Sequence, residues 1–418
     1  MRSLAEWLAW QERLHPAEMA LGLERVQAVL ARLGLSRPPF TVVTVAGTNG
    51  KGSTVAFLER MLCSGGHRVG AYSSPHVFRY TERVRIDGEE IDEMALCRAF
   101  QRVEEVRGDI PLTYFEYGTL GALVAFSEAG VELAVLEVGL GGRLDAVNAV
   151  DPQLSVITPV DLDHQQWLGP DREAIGAEKA GILRPGVPLV LGDPDPPASV
   201  IARAEALAVP LHRLGLDYAL EPAGPAGWCW RGPGDYPPVR TLGLEGAHQA
   251  DNAATALMAL HCLSPHFPVD PIRAVAALAE TRLPGRQQRL PGAPEWLVDV
   301  GHNPHAARAL ARRLAADPRP TVAVVALLAD KDPHGFLAPL LPYLEGLHLA
   351  GLPGTARGAA AGDLAEAVGG QVEPDGVHPS VVEALEAALA RLPAQGRLLV
   401  CGSFHTVAEA LAWRGERR

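Results

Sequence analysis

Lysine is nearly absent from this chain. Lys51, Lys179 and Lys331 are its only three, so 34 of the 37 basic residues are arginine. Asparagine is almost as scarce, with only Asn49, Asn148, Asn252 and Asn303 among 418 residues. Arginine and lysine differ in shape, hydration and titration, so a lysine kept in such a chain marks a position that arginine cannot fill. Cysteine is sparse and scattered: Cys63, Cys97, Cys229, Cys262 and Cys401 form no CxxC pair and are odd in number. That excludes a disulfide scaffold and a zinc finger, and suits reduced thiols in a cytoplasmic protein. No apolar run reaches the roughly 18 residues of a membrane span. The opening residues Met1 to Glu6 carry an early acid, unlike a signal peptide. Excess positive charge is also missing. The formal net charge of −12 argues against a nucleic-acid partner.

What is present is ordinary globular composition, 48% hydrophobic and 21% charged, at a length suited to two or three domains. A β-rich run at 41–46 leads into a glycine-rich turn and a helical pattern from Ser53. Further apolar runs lie at 131–138, 154–158 and 187–191, with helical patterns at 119–129 before the first and 173–183 before the last. Buried strands alternating with helices predict an α/β fold with a mostly parallel sheet. The stretch 218–239, rich in Gly, Pro and Trp, reads as an irregular or antiparallel excursion. Helices are expected at 251–263 and 272–281, then a hinge at Leu283-Pro284-Gly285-Arg286. Alternation restarts beyond it, with strands at 296–300, 322–328, 347–352 and 398–401 and helices at 304–315, 380–392 and 406–413. The expected division is therefore 1–281 and a smaller α/β domain, 282–418.

Gly47-Thr48-Asn49-Gly50-Lys51-Gly52-Ser53-Thr54 follows a strand and opens a helix, the context a phosphate-binding loop requires. There the glycines let backbone amides approach phosphate, the helix start adds positive potential, and Lys51 reaches the β and γ oxygens. Ser53 or Thr54 offers a hydroxyl to Mg²⁺. The loop departs from the commoner spacing by two residues between its glycines and an extra Gly52 after the lysine. Glu137 ends an apolar strand, where open α/β sheets bind ligands and where a carboxylate reads equally as structural or as a Mg²⁺ ligand. A glycine-rich loop bearing Arg143 and Asp145 follows it. His164 closes Asp161-Leu162-Asp163-His164 as a metal ligand or a hydrogen-bonded structural residue. Asn252 stands near a helix start, where an N-cap is an equally good reading. Asp299, His302 and Asn303 cluster at a strand-to-helix turn, with Pro304 at the first helical position.

Ten segments in order (46–54, 72–76, 113–119, 136–148, 162–169, 178–186, 248–256, 283–286, 299–306 and 328–332) resemble the folylpolyglutamate synthase/dihydrofolate synthase family of the Mur-ligase superfamily. The resemblance spans essentially the whole chain, and 21–25 is similar to the family's N-terminal pterin-side segment. It implies a P-loop NTPase-like Mur-ligase central domain with a mostly parallel sheet, plus a smaller Rossmann-like C-terminal domain on the glutamate side. It implies that Thr48, Asn49, Gly50, Lys51, Gly52, Ser53, Asn252, Arg286 and Asp299 bind ATP. Ser53, Ser74, Glu137, His164 and Lys179 would serve two Mg²⁺ ions, with Lys179 carbamylated, a chemistry closed to arginine. Lys51, Lys179, Asp299 and His302 would be catalytic, and Thr113, Phe115, Arg143 and Asp145 would face the substrate. The implied reaction joins L-glutamate to a folate or dihydropteroate carboxylate through an acyl phosphate, in a monomer. Two other readings stay open. One is a Mur-type peptide ligase, although only 46 residues precede Gly47 where such enzymes carry a further domain. The other is a nucleotide-dependent switch without ligation, which leaves the Asp299, His302 and Asn303 cluster unexplained.

Overall fold

The computed structural model describes residues 2–15 and 20–415. By backbone contacts the chain forms two compact units. The first is Met1–Val160, Leu168–Gly243 and Ala250–Thr281; the second is Asp161–Trp167, Leu244–Gln249 and Arg282–Arg418. The two short segments 161–167 and 244–249 thus group with the second unit, a partition that linear reading of the sequence does not anticipate.

The first unit is built on β1 (Thr41–Ala46), β2 (Val69–Tyr72), β3 (Val84–Ile86), β4 (Glu89–Glu90), β5 (Leu133–Glu137), β6 (Leu154–Ile157), β7 (Leu189–Leu191) and β8 (Leu211–Arg213). They form one sheet in the order β4-β3-β2-β5-β1-β6-β7-β8. From β2 to β8 every pairing is parallel, and β3 and β4 add an antiparallel edge. β2, β5, β6 and β7 are buried at every residue, as a sheet covered on both faces requires. Parallel pairing puts the strand C-termini on one edge, so the segments after β1, β2, β5 and β6 all leave there. The helix Tyr114–Ala129 is buried continuously from Glu116 to Phe126 and packs on the helix Glu93–Arg107. The excursion expected at 218–239 holds an antiparallel hairpin, β9 (Ala219–Pro222) with β10 (Trp228–Arg231).

The second unit contains β11 (Gln288–Leu290), β12 (Glu295–Asp299), β13 (Thr321–Val325), β14 (Gly346–Ala350), β15 (Gly376–His378) and β16 (Arg397–Cys401). Their order is β11-β12-β16-β13-β14-β15, parallel except for β11 against β12. Helices Pro304–Ala316, Val381–Arg391 and Phe404–Arg414 follow strands as the alternation predicts. Among the described residues no helix is long and apolar enough to cross a membrane.

Candidate functional site

In the first unit the loop 47–50 joins β1 to the helix Lys51–Ser64. Gly50 occupies the N-cap with φ +89°, a left-handed conformation that glycine adopts without a Cβ penalty. It supplies no capping side chain, and the first turn carries no acid. The helix start therefore keeps its amide dipoles for an anion. A Cβ on Gly47 would fall 1.8 Å from the Thr158 Oγ1, and one on Gly50 would fall 2.5 Å from the Asn252 Oδ1. Both glycines are thus sterically required. Asn252 lies within the helix Gln249–Leu263 rather than at its cap, and its amide packs against the loop. The Thr48 amide donates to the Pro159 carbonyl at 2.8 Å and fixes the loop to the segment after β6.

Two of the three lysines meet on one atom. Lys51 Nζ donates to the Gly47 carbonyl at 3.0 Å and to the Thr48 carbonyl at 3.1 Å. Lys179 Nζ, buried at the end of the helix Arg172–Lys179, donates to the same Gly47 carbonyl at 2.9 Å. Ser53, in the first turn of the loop's helix, is buried. Glu137 ends β5, buried, and its Oε2 accepts the Ser74 amide at 3.3 Å.

The loop after β5 is organised by Asp145, whose two oxygens accept the Leu140 and Val147 amides at 2.8 and 3.0 Å. Burial pushes this carboxyl up to about 6, although the amide hydrogen bonds oppose the shift. Arg143 reaches Glu178 Oε1 through Nε and Nη2 at 3.1 and 2.9 Å, tying the loop to the residue beside Lys179. Asn148 strengthens this joint by donating to the carbonyls of Arg143 and Gly181. Arg143 and Asp145 therefore shape the loop expected to face substrate. Thr113 N-caps the helix Tyr114–Ala129 in a capping box with Glu116. Phe115 lays its ring on Gly139, where a Cβ would come within 2.6 Å of the ring.

The second unit gathers a separate polar cluster. Asp299 ends β12 and accepts the Gly301 and Gln287 amides at 2.7 and 2.9 Å. Burial pushes its carboxyl above the usual range, against those donors and the charge of Arg286. The Arg286 guanidinium lies 4.9 Å over the Phe404 ring. His302 Nδ1 lies 3.0 Å from the Val300 carbonyl, and Nε2 lies 3.5 Å from Asp163 Oδ2. Asn303 caps the helix Pro304–Ala316 by accepting the Ala306 amide, and its Nδ2 donates to Asp163 Oδ2 at 2.9 Å. Lys331 Nζ, the third lysine, donates to Asp163 Oδ1 at 2.7 Å and lies 3.4 Å from His164 Nε2.

Asp163 is the hub of this group. Burial raises its carboxyl, but His302, His164 and Lys331 outweigh that and hold it well below the usual carboxylate range. His164 is pushed down to about 4, first by burial and further by Lys331 and His302, against the opposing charges of Asp163 and Asp330. Its φ of +52° is uncommon outside glycine, an outlier of the kind stored at functional sites. Sequence reasoning singled out Asp299, His302 and His164, but missed that Asp163 joins the two histidines and Asn303 to Lys331. The side-chain alternation within 161–164 carries no signal for that.

A divalent ion is consistent with the donors of the first unit. The Ser53 hydroxyl and the Glu137 carboxylate are hard oxygen ligands, which suit Mg²⁺ completed by waters and phosphate. Among the described residues no group of three or more His, Cys, Asp or Glu is arranged to hold a metal unaided.

Known proteins resemble this chain over its whole length. Residues 285–404 match the family model "Mur ligase, glutamate ligase domain". The dihydrofolate synthase/folylpolyglutamate synthase of Escherichia coli is 45% identical over 417 residues, covering 99% of this chain and 96% of its own length. A solved structure of E. coli FolC with DHPP and ADP superimposes with a TM-score of 0.93 at 43% identity, covering 100% of this chain and 99% of that one. The bifunctional folylpolyglutamate synthase/dihydrofolate synthase of Yersinia pestis, complexed with AMPPNP and Mn, gives 0.90 at 44%, covering 99% and 98%. The chain belongs to the dihydrofolate synthase/folylpolyglutamate synthase family of ATP-dependent glutamate ligases.

Proposed function

We propose that this ligase performs both activities that the names of its relatives join, adding L-glutamate to dihydropteroate and to a reduced folate. The substrate carboxylate attacks the γ-phosphorus of ATP, giving an acyl phosphate and ADP. The glutamate amine then attacks the acyl carbon, phosphate leaves, and the amide forms. The observation that carries this reading is the meeting of Lys51 and Lys179 on the Gly47 carbonyl, beside a helix start without a side-chain cap. Such a cradle stabilises a polyphosphate and the charge that develops on a transferring phosphoryl group.

Thr48, Asn49, Gly50, Gly52 and Ser53 supply the loop, with Asn252 against it, and Lys51 neutralises the β and γ oxygens. Arg286, Asp299 and His302 take the nucleotide roles that the resemblance gives them. Ser53, Ser74, Glu137, His164 and Lys179 would hold two Mg²⁺ ions, which when bound would neutralise charge on the phosphoryl oxygens. Two ammonium groups on one acceptor repel. Carbamylation of Lys179, its amine adding CO₂ with loss of a proton, replaces one of them by an anion and provides an oxygen ligand. Thr113 and Phe115, at the start of the Tyr114–Ala129 helix, hold the pterin side of the substrate beside the loop that Arg143 and Asp145 keep in shape. In this reading 1–281 carries ATP and the pterin and 282–418 carries glutamate.

The test is ADP release with Mg²⁺-ATP and glutamate, comparing dihydropteroate with tetrahydrofolate. Turnover with both is expected. Turnover with tetrahydrofolate alone restricts the chain to tail extension, and hydrolysis indifferent to both acceptors overturns the ligase reading.

A further inference from the structure

We infer that Arg25 and Glu116 are positioning residues that assemble the substrate pocket from three separate pieces of chain. The inference rests on the reading that Thr113 and Phe115 face the pterin. Glu116 is a buried carboxylate one residue after Phe115, and its Oε2 accepts the Thr113 amide at 2.7 Å. Arg25 donates to the same carboxylate from Nε, at 3.0 Å to Oε1 and 3.2 Å to Oε2, while Nη2 stands 2.9 Å from Oε1. That Nη2 also donates to the Ala20 carbonyl at 2.7 Å, so the guanidinium closes the segment 20–25 on itself. Within this segment the Gly22 amide donates to the Leu144 carbonyl, in the loop that Asp145 organises. The Phe115 ring in turn rests on Gly139 of that loop.

One ion pair therefore fixes three things together: the segment 20–25, the first turn of the Tyr114–Ala129 helix, and the loop 139–145. The capping box alone sets the helix start; Arg25 is what joins it to the N-terminal segment. A planar guanidinium can donate to a carboxylate and to a backbone carbonyl at once in fixed directions, which an ammonium does poorly. Arg25→Met removes the clamp and leaves the Glu116 carboxylate without its cation, so the pocket walls lose their common anchor. Glu116→Gln keeps an acceptor for the Thr113 amide but weakens the pair.

The experiment is steady-state kinetics of Arg25→Met, Arg25→Lys, Glu116→Gln and Phe115→Ala, with dihydropteroate, ATP and glutamate varied in turn. Loss of binding made equally in the ground and transition states raises KM and leaves kcat, here by roughly ten- to a hundred-fold. That rise is expected for dihydropteroate in Arg25→Met, with KM for ATP unchanged, kcat at saturation largely kept, and Arg25→Lys intermediate. If Arg25→Met does not fold, Arg25→Lys and Glu116→Gln carry the same comparison. A merely structural role would lower stability and the active fraction without moving KM for dihydropteroate, and that result overturns the inference. If Phe115→Ala raises this KM and the Arg25 and Glu116 variants do not, the inference fails and the pocket reading stands. If none of them raises it, both fail.

Discussion

The substitution Gly50→Ala separates the local cost of a backbone conformation from damage to a binding loop. At φ +89° an alanine carries a left-handed penalty of about 1–2 kcal/mol. Its methyl would also sit 2.5 Å from the Asn252 Oδ1, so the amide must swing away from the loop. Displacing a buried polar group from its place adds roughly 1–3 kcal/mol. Gly34→Ala is the control, because Gly34 caps the helix Glu24–Leu33 at φ +73° with nothing within 4 Å of an added Cβ. Gly34→Ala should cost about 1 kcal/mol of stability, by urea unfolding, and leave ADP affinity unchanged. Gly50→Ala should cost about twice that or more and weaken ADP binding by roughly ten- to a hundred-fold, read by titration calorimetry. Adding Asn252→Ala to Gly50→Ala should recover part of the stability, through relief of the clash, but not the affinity. Wild-type ADP affinity in Gly50→Ala, or equal stability losses for the two single variants, would refute the assignment of this loop.

Further outcomes follow from the same geometry. Lys179→Arg should abolish turnover while the protein stays folded, and wild-type activity should fall in CO₂-depleted buffer and return with bicarbonate; indifference to both would remove the carbamate. Asp145 has a folded-state pKa near 6, above the unfolded value, so the native state holds the proton more tightly. Its contribution to stability is therefore lost as pH rises from about 4 to 6, a difference of roughly 3 kcal/mol. Asp145→Asn should flatten that part of a pH series of urea midpoints, and parallel curves would show that the shift is absent. Asp163→Asn removes the carboxylate 2.7 Å from Lys331 Nζ and leaves only Asp330 at 3.7 Å, and should destabilise the protein by about 2–4 kcal/mol, with partial recovery in Asp163→Asn/Lys331→Met. Strict additivity in that double variant would show that the pair is not coupled.

Much of the site can be read before any coordinates exist, because its residues stand out by type. In a chain that uses arginine almost everywhere, all three lysines end at polar clusters: two on the Gly47 carbonyl and one on Asp163. The four asparagines behave likewise. Asn49 is in the loop, Asn148 joins 143 to 181, Asn252 packs on Gly50, and Asn303 caps a helix while holding Asp163. The parallel strands are legible because burial on both faces leaves continuous apolar runs. Misreadings have physical causes. The periodicity places a helix start at 119 where it lies at Tyr114, since Gly118 looks like a breaker. Gly118 and Gly121 are there because aromatic side chains press on the helix: a Cβ at Gly118 would meet the Tyr80 hydroxyl, and one at Gly121 the Phe100 ring. The Thr113 to Glu116 capping box was the signal for the true start. Strand β2 escapes notice because it is only four residues long and holds a glycine, and the antiparallel pair β3 and β4 because they are short and carry charged residues.

Sequence alone thus determined the α/β class, the strand–glycine loop–helix at 41–64 and the place of Glu137 at a strand end, all properties of local pattern and residue type, while the reaction family came from the resemblance of ten ordered segments. Only the tertiary structure decided which groups share an atom. That Lys51 and Lys179 meet on Gly47, that Asp163 collects Lys331, His302 and Asn303, and that Arg25 closes on Glu116 are contacts between residues from 91 to 168 positions apart, the two on Gly47 excepted on one side only. A strand order that brings distant loops to one sheet edge makes them, and no periodicity along the chain encodes that order.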